Sequence, residues 1–286
     1  MIAPAAGLTL GVTLAVLGAA FLHASWNALL KSAAGEPTLD TALIVCGSSL
    51  VGLCVLPFLA FPVRAAWPYI AVSSAIHFAY YVTLAGAYRR GDLSFAYPLM
   101  RGVAPLIVTV LGIVFLHEHP TLQAAAGIVL ISFGILTIAW FAGGGHTRAA
   151  AGWALTNAMI IALYTLVDGA GARASGDPLA YVTWLVTLEG LPFLGWVLYS
   201  HGASALGYWR SRWRRGAAGG AASLAAYAIV LWAMTRAPVA VVAALREVSV
   251  VFAALIGALA LKEGFGWKRV AGALSVVLGI AALRLG

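Results

Sequence analysis

The sequence predicts an all-α integral membrane protein with ten transmembrane helices arranged as two inverted five-helix repeats. Of its 286 residues, 63% are hydrophobic and only 9% are charged, more apolar surface than a soluble domain can bury. Apolar runs alternate with short breaks, and a helix needs roughly 20 mostly apolar residues to cross a bilayer. The segment 101–135 also recurs, without a gap, as 246–280.

The recurrence aligns charged residues as well as apolar ones. Arg101 matches Arg246 and Glu118 matches Glu263, and chance similarity between apolar runs does not readily produce such pairs. The predicted repeats are residues 1–145 and 146–286, each with five spans. Because five is odd, the second copy enters the membrane inverted, and inverted repeats hold a substrate site at their interface. The duplication therefore indicates transport.

Glycine, proline and charged residues mark the predicted ends of the spans. In chain order the spans are 8–30, 39–61, 67–88, 94–116, 122–142, 151–172, 178–199, 217–235, 238–261 and 267–284. The first apolar run is too long for a signal-peptide core, so it is predicted to be retained. Pro98, Pro105 and Pro238 are expected to bend or start spans four and nine. Cys46 and Cys54 lie about 12 Å apart along one helix, too far for a disulfide.

Lysine and arginine are distributed unevenly between the two membrane sides. The side that carries both termini, here called the terminal side, has Arg64, Arg173, Arg236 and Arg284. The other, here called the basic side, has Lys31, Arg89, Arg90, Arg148, Arg210, Arg212, Arg214, Arg215, Lys262, Lys268 and Arg269. Cytoplasmic loops are the ones enriched in these residues. The termini are therefore predicted to lie outside the cytoplasm of an inner (plasma) membrane.

The formal charge of +8 follows from this distribution and does not indicate nucleic acid binding. Residues 207–216 alternate aromatic and basic side chains. This pattern predicts an interfacial anchor that faces anionic lipid, rather than a specific site for a phosphate-bearing partner.

Polar and aromatic residues that share helical faces predict a central cavity. Positions 23, 26 and 27 share one face of span one, as do 77 and 81 in span three and 97 and 101 in span four. Such faces avoid lipid and line a cavity or another helix. The predicted substrate-binding residues are His23, Trp26, Asn27, His77, Tyr81, Tyr97, Arg101, Tyr164 and Trp184. Their rings suit ammonium groups and other rings.

Charged residues inside the spans are costly, so each needs a partner or a watery cavity. Arg101 is predicted either to hold a substrate carboxylate or to form a structural ion pair. Arg246 and Glu247 diverge by 100° around a helix, so both cannot face one cavity squarely. A structural role is expected for this pair, with Glu189 as a candidate partner in another span. Asp168 is interpreted as a cap close to a loop.

The histidine and glycine patterns give weaker indications of a functional site. His117 and His119 lie in a tight turn without further ligands nearby, so no metal and no other cofactor is predicted. His23 and His77 can carry protons, because imidazole titrates near neutral pH. Glycines spaced seven apart in spans five and ten are predicted to allow close helix packing; these are Gly127, Gly134, Gly272 and Gly279.

Several motifs resemble a known family. They are HASWNALLK at 23–31, RRGDLSFAYPLMRGVAP at 89–105, and the Leu-x-Glu turns at 116–118 and 261–263. They resemble EamA-type repeats of the drug/metabolite transporter superfamily, and the resemblance covers essentially the whole chain. It implies a ten-span carrier that exports amino acids or other metabolites, with exporters of aromatic amino acids as architectural relatives. Because the motifs are mostly packing and turn features, they identify the family rather than the substrate.

The leading prediction is a secondary transporter, not an enzyme, that exports amino acids or similar small metabolites by alternating access. Its expected partners are the small-molecule substrate and membrane lipid, with no nucleic acid and a monomeric chain. A multidrug or organic-cation exporter would want a carboxylate in span one, where His23 and Asn27 stand. A nucleotide-sugar or phosphate antiporter would need more convergent cations than Arg101 and Arg246. An intramembrane enzyme lacks a recognisable acid–base set, and a lipid scramblase or channel stays open.

Overall fold

The helices of the structure follow the predicted spans closely. The structure, a computed structural model, describes residues 8–31, 36–90, 93–141, 147–260 and 267–285, and these contain helices but no strand. The α-helices are α1 (Leu10–Lys31), α2 (Pro37–Val55), α3 (Trp67–Arg90), α4 (Leu93–Leu116), α5 (Leu122–Trp140), α6 (Arg148–Ser175), α7 (Pro178–His201), α8 (Ala203–Met234), α9 (Val239–Arg246), α10 (Ser249–Ala260) and α11 (Trp267–Leu285). Two 3₁₀ turns, Leu56–Phe58 and Arg64–Ala66, lie between α2 and α3.

Most of these helices are long enough to cross a membrane. In the described parts of the chain, eight stretches meet the length and apolarity of a membrane span. One of them, Val239–Ile256, runs through both α9 and α10. The two shorter apolar helices, Leu122–Ile138 and Val270–Leu285, complete the ten. The prediction of an all-α multi-pass membrane protein is confirmed.

The second helix of each repeat begins with the same local device. Glu36 precedes Pro37 and accepts hydrogen bonds from the Thr38 and Leu39 amides at 3.1 and 2.7 Å. Asp177 precedes Pro178 and accepts from the next two amides in the same way. An acidic N-cap followed by proline satisfies amides that have no partner within the helix. Burial alone would raise the pKa of Glu36, but these hydrogen bonds outweigh it and hold that pKa below its usual value.

The pairing of α5 with α11 shows that the repeats are inverted. A Cβ placed on Gly134 would lie 2.5 Å from the carbonyl oxygen of Gly272, and one on Gly127 would lie 2.8 Å from that of Gly279. The contacts therefore run in opposite directions along the two helices. Because α5 and α11 are counterparts in the repeats, this antiparallel contact places a two-fold axis in the membrane plane. The predicted glycine packing between spans five and ten is confirmed.

Helices α2 and α7 are also counterparts that pack against each other. The Ser49 hydroxyl donates to the Val186 carbonyl at 2.8 Å, and a Cβ on Gly52 would meet Thr183 and Thr187. The contact again runs antiparallel. Small residues let the two backbones approach, as is usual between helices in lipid.

The remaining helices of the two repeats interleave. Helix α1 packs mainly against α8, α9 and α10, whereas α6 packs against α3 and α4. Each first helix therefore finds its principal neighbours in the other half of the chain. This exchange forms the space between the repeats in which polar side chains of α1 and α6 meet those of the opposite half.

Two predicted boundaries need correction. Span eight was predicted to begin at residue 217, but α8 begins at Ala203 and includes the whole 207–216 segment. Tyr208 donates to Asp40 at 2.6 Å and Trp209 to the Leu39 carbonyl at 3.1 Å, so contacts with α2 extend the helix. Span nine is interrupted at Glu247 and Val248. The predicted turn at 261–263 lies outside the described residues.

Candidate functional site

A cavity of about 150 Å³ lies between the repeats. Eight of the nine residues predicted to bind substrate line it, namely His23, Trp26, Asn27, His77, Tyr81, Tyr97, Arg101 and Tyr164. Its wall also contains other aromatic and charged residues that were not among the predicted binding residues, namely Tyr80, Tyr88, Glu189, Tyr227 and Arg246, and the small polar residues Thr41, Ser48 and Ser223. The sequence offered a signal for the two charged ones, because intramembrane ionisable residues are functional candidates by default.

Helix α1 brings its polar face to the cavity as the spacing predicted. The ring of His23 meets that of Trp26 edge-on at 5.1 Å, and the Asn27 amide donates to the His23 carbonyl at 2.7 Å. Asn27 thereby satisfies part of its own hydrogen bonding within α1. The indole nitrogen of Trp26 has no hydrogen-bond partner among the described residues, so it remains available to a ligand.

Aromatic rings from three helices form one wall. The imidazole of His77 stacks on the Tyr164 ring at 4.3 Å, and Tyr80 meets Tyr164 edge-on at 5.7 Å. Tyr227 of α8 lies 6.5 Å from the same ring. Tyr164 of α6 is thus the centre of this wall. The arrangement presents both ring faces and hydroxyl groups, which suits rings and cationic groups.

Two arginines, one from each repeat, share one glutamate. Arg101 Nε lies 2.5 Å from Glu247 Oε2, and Arg246 donates to Glu247 Oε1 at 3.3 Å through both Nε and a terminal nitrogen. The exposed fractions of Arg101, Arg246 and Glu247 are 3%, 5% and 0%. Both arginines line the cavity, while Glu247 lies behind them. The group holds two positive charges and one negative charge.

The break between α9 and α10 lies at Glu247, the shared carboxylate of this triad. The amides of Glu247 and Val248 bond to carbonyls three residues back, at 3.1 Å each, in the tighter 3₁₀ pattern. Glu247 pairs with a residue of another span, as predicted for one member of its pair. The expectation that Glu189 is the partner is wrong, because Glu247 itself receives both arginines.

Glu189 of α7 instead contacts α3. Tyr81 donates to its Oε1 at 3.1 Å, and His77 Nδ1 lies 3.4 Å from its Oε2. His77 Nδ1 is also 3.1 Å from the Ser73 hydroxyl and 3.0 Å from the Ser73 carbonyl oxygen. The Glu189 side chain is 9% exposed and faces the cavity. In the described parts of the chain its ionic contact is with a histidine rather than with Lys or Arg.

Asp168 is not the loop-proximal cap that the sequence suggested. Its exposed fraction is 0%, and it accepts hydrogen bonds from Tyr181 at 2.9 Å and from Tyr227. Because α6 extends to Ser175, Asp168 lies two turns inside its helix and faces protein rather than solvent.

Trp184 does not join the other predicted site residues. It packs edge-on against Phe61 at 5.0 Å and Trp67 at 5.3 Å. Helix α7 lines the cavity with Val186 and Glu189, and a residue two positions from Val186 points to the other side of the helix. The aromatic ring alone indicated Trp184, and its position on the helical face excludes it from the cavity.

The terminal side is tied together by Arg173. Its side chain donates to the Met234 carbonyl at 2.8 Å and to Glu118 at 2.9 Å. Glu118 also accepts from the amides of Val239 and Ala240 at 2.8 and 3.4 Å, so it caps α9. These contacts, here called the terminal-side latch, join the α4–α5 turn to α6, α8 and α9. The predicted Leu-x-Glu turn therefore connects helices of both repeats.

No metal site emerges from the described residues, which contain no cluster of three His, Cys, Asp or Glu able to hold an ion. Two aspects of the cavity stand out instead. Its α1 to α4 residues come mostly from the halves of these helices that lie nearest the basic side. Its walls combine arginine, glutamate, histidine and tyrosine, a mixture that suits a small solute with charged and apolar parts.

Comparison with known proteins gives one family and one fold. The model of the EamA-like transporter family matches the chain twice, over residues 9–140 and 148–285. Curated proteins yield no match. Among solved structures, the crystal structure of another protein aligns with 96% of this chain and 98% of its own at 20% identity, with a TM-score of 0.78. At this identity the similarity shows the fold alone.

Proposed function

Because the chain belongs to the EamA-like transporter family, whose members carry small molecules across membranes, we propose that its cargo is an amino acid or a similar small metabolite. We propose further that it works as an exporter in an inner (plasma) membrane by alternating access. The two inverted repeats with a cavity between them support this mechanism, because repeats of this kind rock around a fixed site.

The arginine pair is the observation that carries the substrate assignment. Arg101 and Arg246 line the cavity and share one internal carboxylate, so one positive charge stays uncompensated. A substrate carboxylate would supply the missing negative charge through charge-assisted hydrogen bonds. Glu189 and the tyrosines that line the same cavity would receive the amine or the side chain. A zwitterion matches both kinds of group.

The size of the cavity favours a small cargo. A protein cavity of 150 Å³ binds molecules of about the size of benzene, and the one here is about 150 Å³. A small or medium amino acid is of this order, whereas a nucleotide sugar is several times larger. The tie between Glu247 and both arginines also leaves few cations for a phosphate.

An organic-cation exporter is the second candidate. The absence of a carboxylate from span one counts against an organic-cation exporter. In the structure, however, Glu189 of α7 places a carboxylate on the cavity wall beside Tyr81. Aromatic rings and a carboxylate are the groups that bind cations. The arginine pair opposes this candidate, because it would repel a cargo without an acidic group.

A flux panel in liposomes tests the assignment. Purified protein would be assayed with amino acids, including aromatic ones, and with organic cations and nucleotide sugars, each at several pH gradients. We expect uptake of amino acids and little uptake of amines that lack the carboxylate. Transport of decarboxylated amines at the rate of the parent amino acids would favour the organic-cation exporter. Transport of nucleotide sugars alone would contradict the proposal.

A further inference from the structure

Glu189 on the cavity wall and Asp168, which is buried outside the cavity lining, are two carboxylates without a matching Lys or Arg among the described residues. Asp168 and Glu189 have exposed fractions of 0% and 7%. In the described parts of the chain, the intramembrane arginines pair with Glu247, and the ionic partner of Glu189 is His77. Two ionised carboxylates in this setting would carry a desolvation cost that hydrogen bonds from neutral tyrosines offset only in part.

These two acids belong to one cluster of polar and aromatic side chains. His77 contacts Glu189 and Ser73 through the same nitrogen, Nδ1, and its ring lies 6.1 Å from that of Tyr227, which donates to Asp168. Tyr81 donates to Glu189, and Tyr181 donates to Asp168. The members come from α3, α6, α7 and α8. Among the described residues, this cluster contains two acids and no Lys or Arg.

Other elements packed on α7 bring no cation to this cluster. The charged residue of α2 in the described parts is Asp40, which accepts from Tyr208 near the basic side. The described arginines of α8 lie in its first turns, at 210–215. From α6, Arg173 is held in the terminal-side latch, and Arg148 is exposed at the first residue. Arg89 and Arg90 are exposed at the end of α3. The charge must therefore come from a proton or from the cargo.

We propose that Glu189, with His77 and Asp168, forms a cation site that holds a proton in the empty carrier and the protonated amine of the substrate in the loaded one. This inference rests on the proposed function and deepens it. Binding of the amine releases the proton from the cluster, and departure of the amine takes one up. Export of one substrate is thereby coupled to the return of one proton.

The geometry supports such an exchange. Glu189 Oε2 has no hydrogen-bond partner among the described residues, and its side chain faces the cavity. The amine of a bound amino acid would reach this oxygen while its carboxylate turned to the arginine pair. His77 Nδ1 lies 3.4 Å from this oxygen and 3.0 Å from the Ser73 carbonyl oxygen. Because a carbonyl oxygen only accepts, Nδ1 carries its own hydrogen and holds the carboxyl group of Glu189 in place beside the cavity.

The first test needs no substrate. Infrared difference spectra of the full-length protein in lipid would be recorded between acidic and alkaline buffer. We expect a protonated carboxylic band that disappears at alkaline pH and that is reduced in Glu189→Gln or Asp168→Asn. Asp40→Asn is the matched control, because Asp40 is also a buried carboxylate bonded to tyrosine, and it should leave the band unchanged. A wild-type protein without the band, or a band that neither variant reduces, overturns the proposal.

The second test uses L-alanine, L-threonine and L-phenylalanine in proteoliposomes. With one proton exchanged per substrate, a pH gradient of one unit drives about tenfold accumulation at most. Glu189→Gln should lose this accumulation but keep exchange of labelled for unlabelled amino acid, whereas Asp40→Asn should keep both. Accumulation in Glu189→Gln equal to wild type overturns the proposal. Failure of transport in wild type would contradict the proposed function, and the infrared result would still decide the cation site.

Discussion

Arg101 and Arg246 share one carboxylate, that of Glu247, inside the membrane. This group of three side chains therefore carries a net positive charge. The rings of Tyr97 and Tyr164 lie beneath Arg101 and Arg246, at 5.8 and 5.9 Å, and stabilise the cations through their electron-rich faces. These contacts lower the cost of the excess charge without neutralising it. An anion in the cavity therefore gains more here than it would beside a simple ion pair.

Arg101→Ala should weaken amino-acid flux strongly. One charge-assisted contact is worth about 1.5–3 kcal/mol, or a tenfold to hundredfold loss of affinity. The variant should fold, because Glu247 keeps Arg246 as its partner. The measurement is concentration-dependent flux in liposomes, after a check that the protein is monodisperse. Arg64→Ala is the control, since Arg64 is exposed on the terminal side. Wild-type flux in Arg101→Ala would show that this arginine is structural.

The break between α9 and α10 is the element that distinguishes the second repeat from the first. Its counterpart α4 contains Pro98 and Pro105 but remains one helix. In the broken helix the 3₁₀ pattern at Glu247 and Val248 marks a point of the kind often used as a hinge. The cap from Glu118 fixes the other end of α9. Helix α9 is thus a short segment held at both ends by charged residues.

Glu118→Gln should loosen the terminal-side latch. The variant keeps the shape of the side chain but loses the ionic contact with Arg173, which is 36% exposed. An exposed ion pair contributes about 1 kcal/mol or less. The equilibrium constant for opening of the cavity to the terminal side should therefore increase roughly fivefold at most. The readout is labelling of Ala226→Cys, a cavity position, by an impermeant thiol reagent applied from the terminal side. Glu36→Gln removes a comparable cap on the basic side and should not raise this labelling.

Gly134→Ala should destabilise the contact between α5 and α11. Its Cβ would lie 2.5 Å from the Gly272 carbonyl oxygen, so the helices must separate. Overpacking of this kind costs about 1–3 kcal/mol, which should appear as a lower melting temperature. Gly152→Ala is the matched control, since it makes the same substitution within a helix. Nothing lies within 4 Å of its added Cβ, so it should not lower the melting temperature. Equal melting of the two variants would contradict the predicted contact.

The elements differ in how far the sequence predicts them. The glycines of α5 and α11 could be predicted, because their spacing and duplication are local signals. The start of α8 could not, since the arginines of residues 210–215 are unfavourable in lipid and only the contacts of Tyr208 and Trp209 with α2 indicate that the helix continues. The break after Arg246 carries no glycine or proline. In the cavity, residues on shared faces were predicted correctly as neighbours, while Trp184 and the partners of Glu189 depend on helix rotations that the sequence does not encode locally.

For the whole molecule, the charge asymmetry predicts one orientation. Ser211 and Thr235 are exposed residues near opposite ends of α8, so they belong to opposite membrane sides. With Cys46 and Cys54 replaced by alanine, Thr235→Cys should react with an impermeant reagent in intact cells, and Ser211→Cys should react only after permeabilisation. This follows from the excess of Lys and Arg on the basic side. Strong labelling of Ser211→Cys in intact cells would reverse the predicted topology.

The interleaving of the repeats also constrains how the protein is made. Helix α1 leaves the ribosome long before its partners, because it ends at Lys31 and α8 begins at Ala203. At about 5–20 residues per second, this delay is roughly ten to thirty-five seconds. Throughout that time α1 lacks the α8, α9 and α10 neighbours against which it mainly packs in the finished protein. A nascent chain interrupted after the first repeat would therefore leave an unfinished product in the membrane, one suited to capture by insertion factors or to removal by proteases.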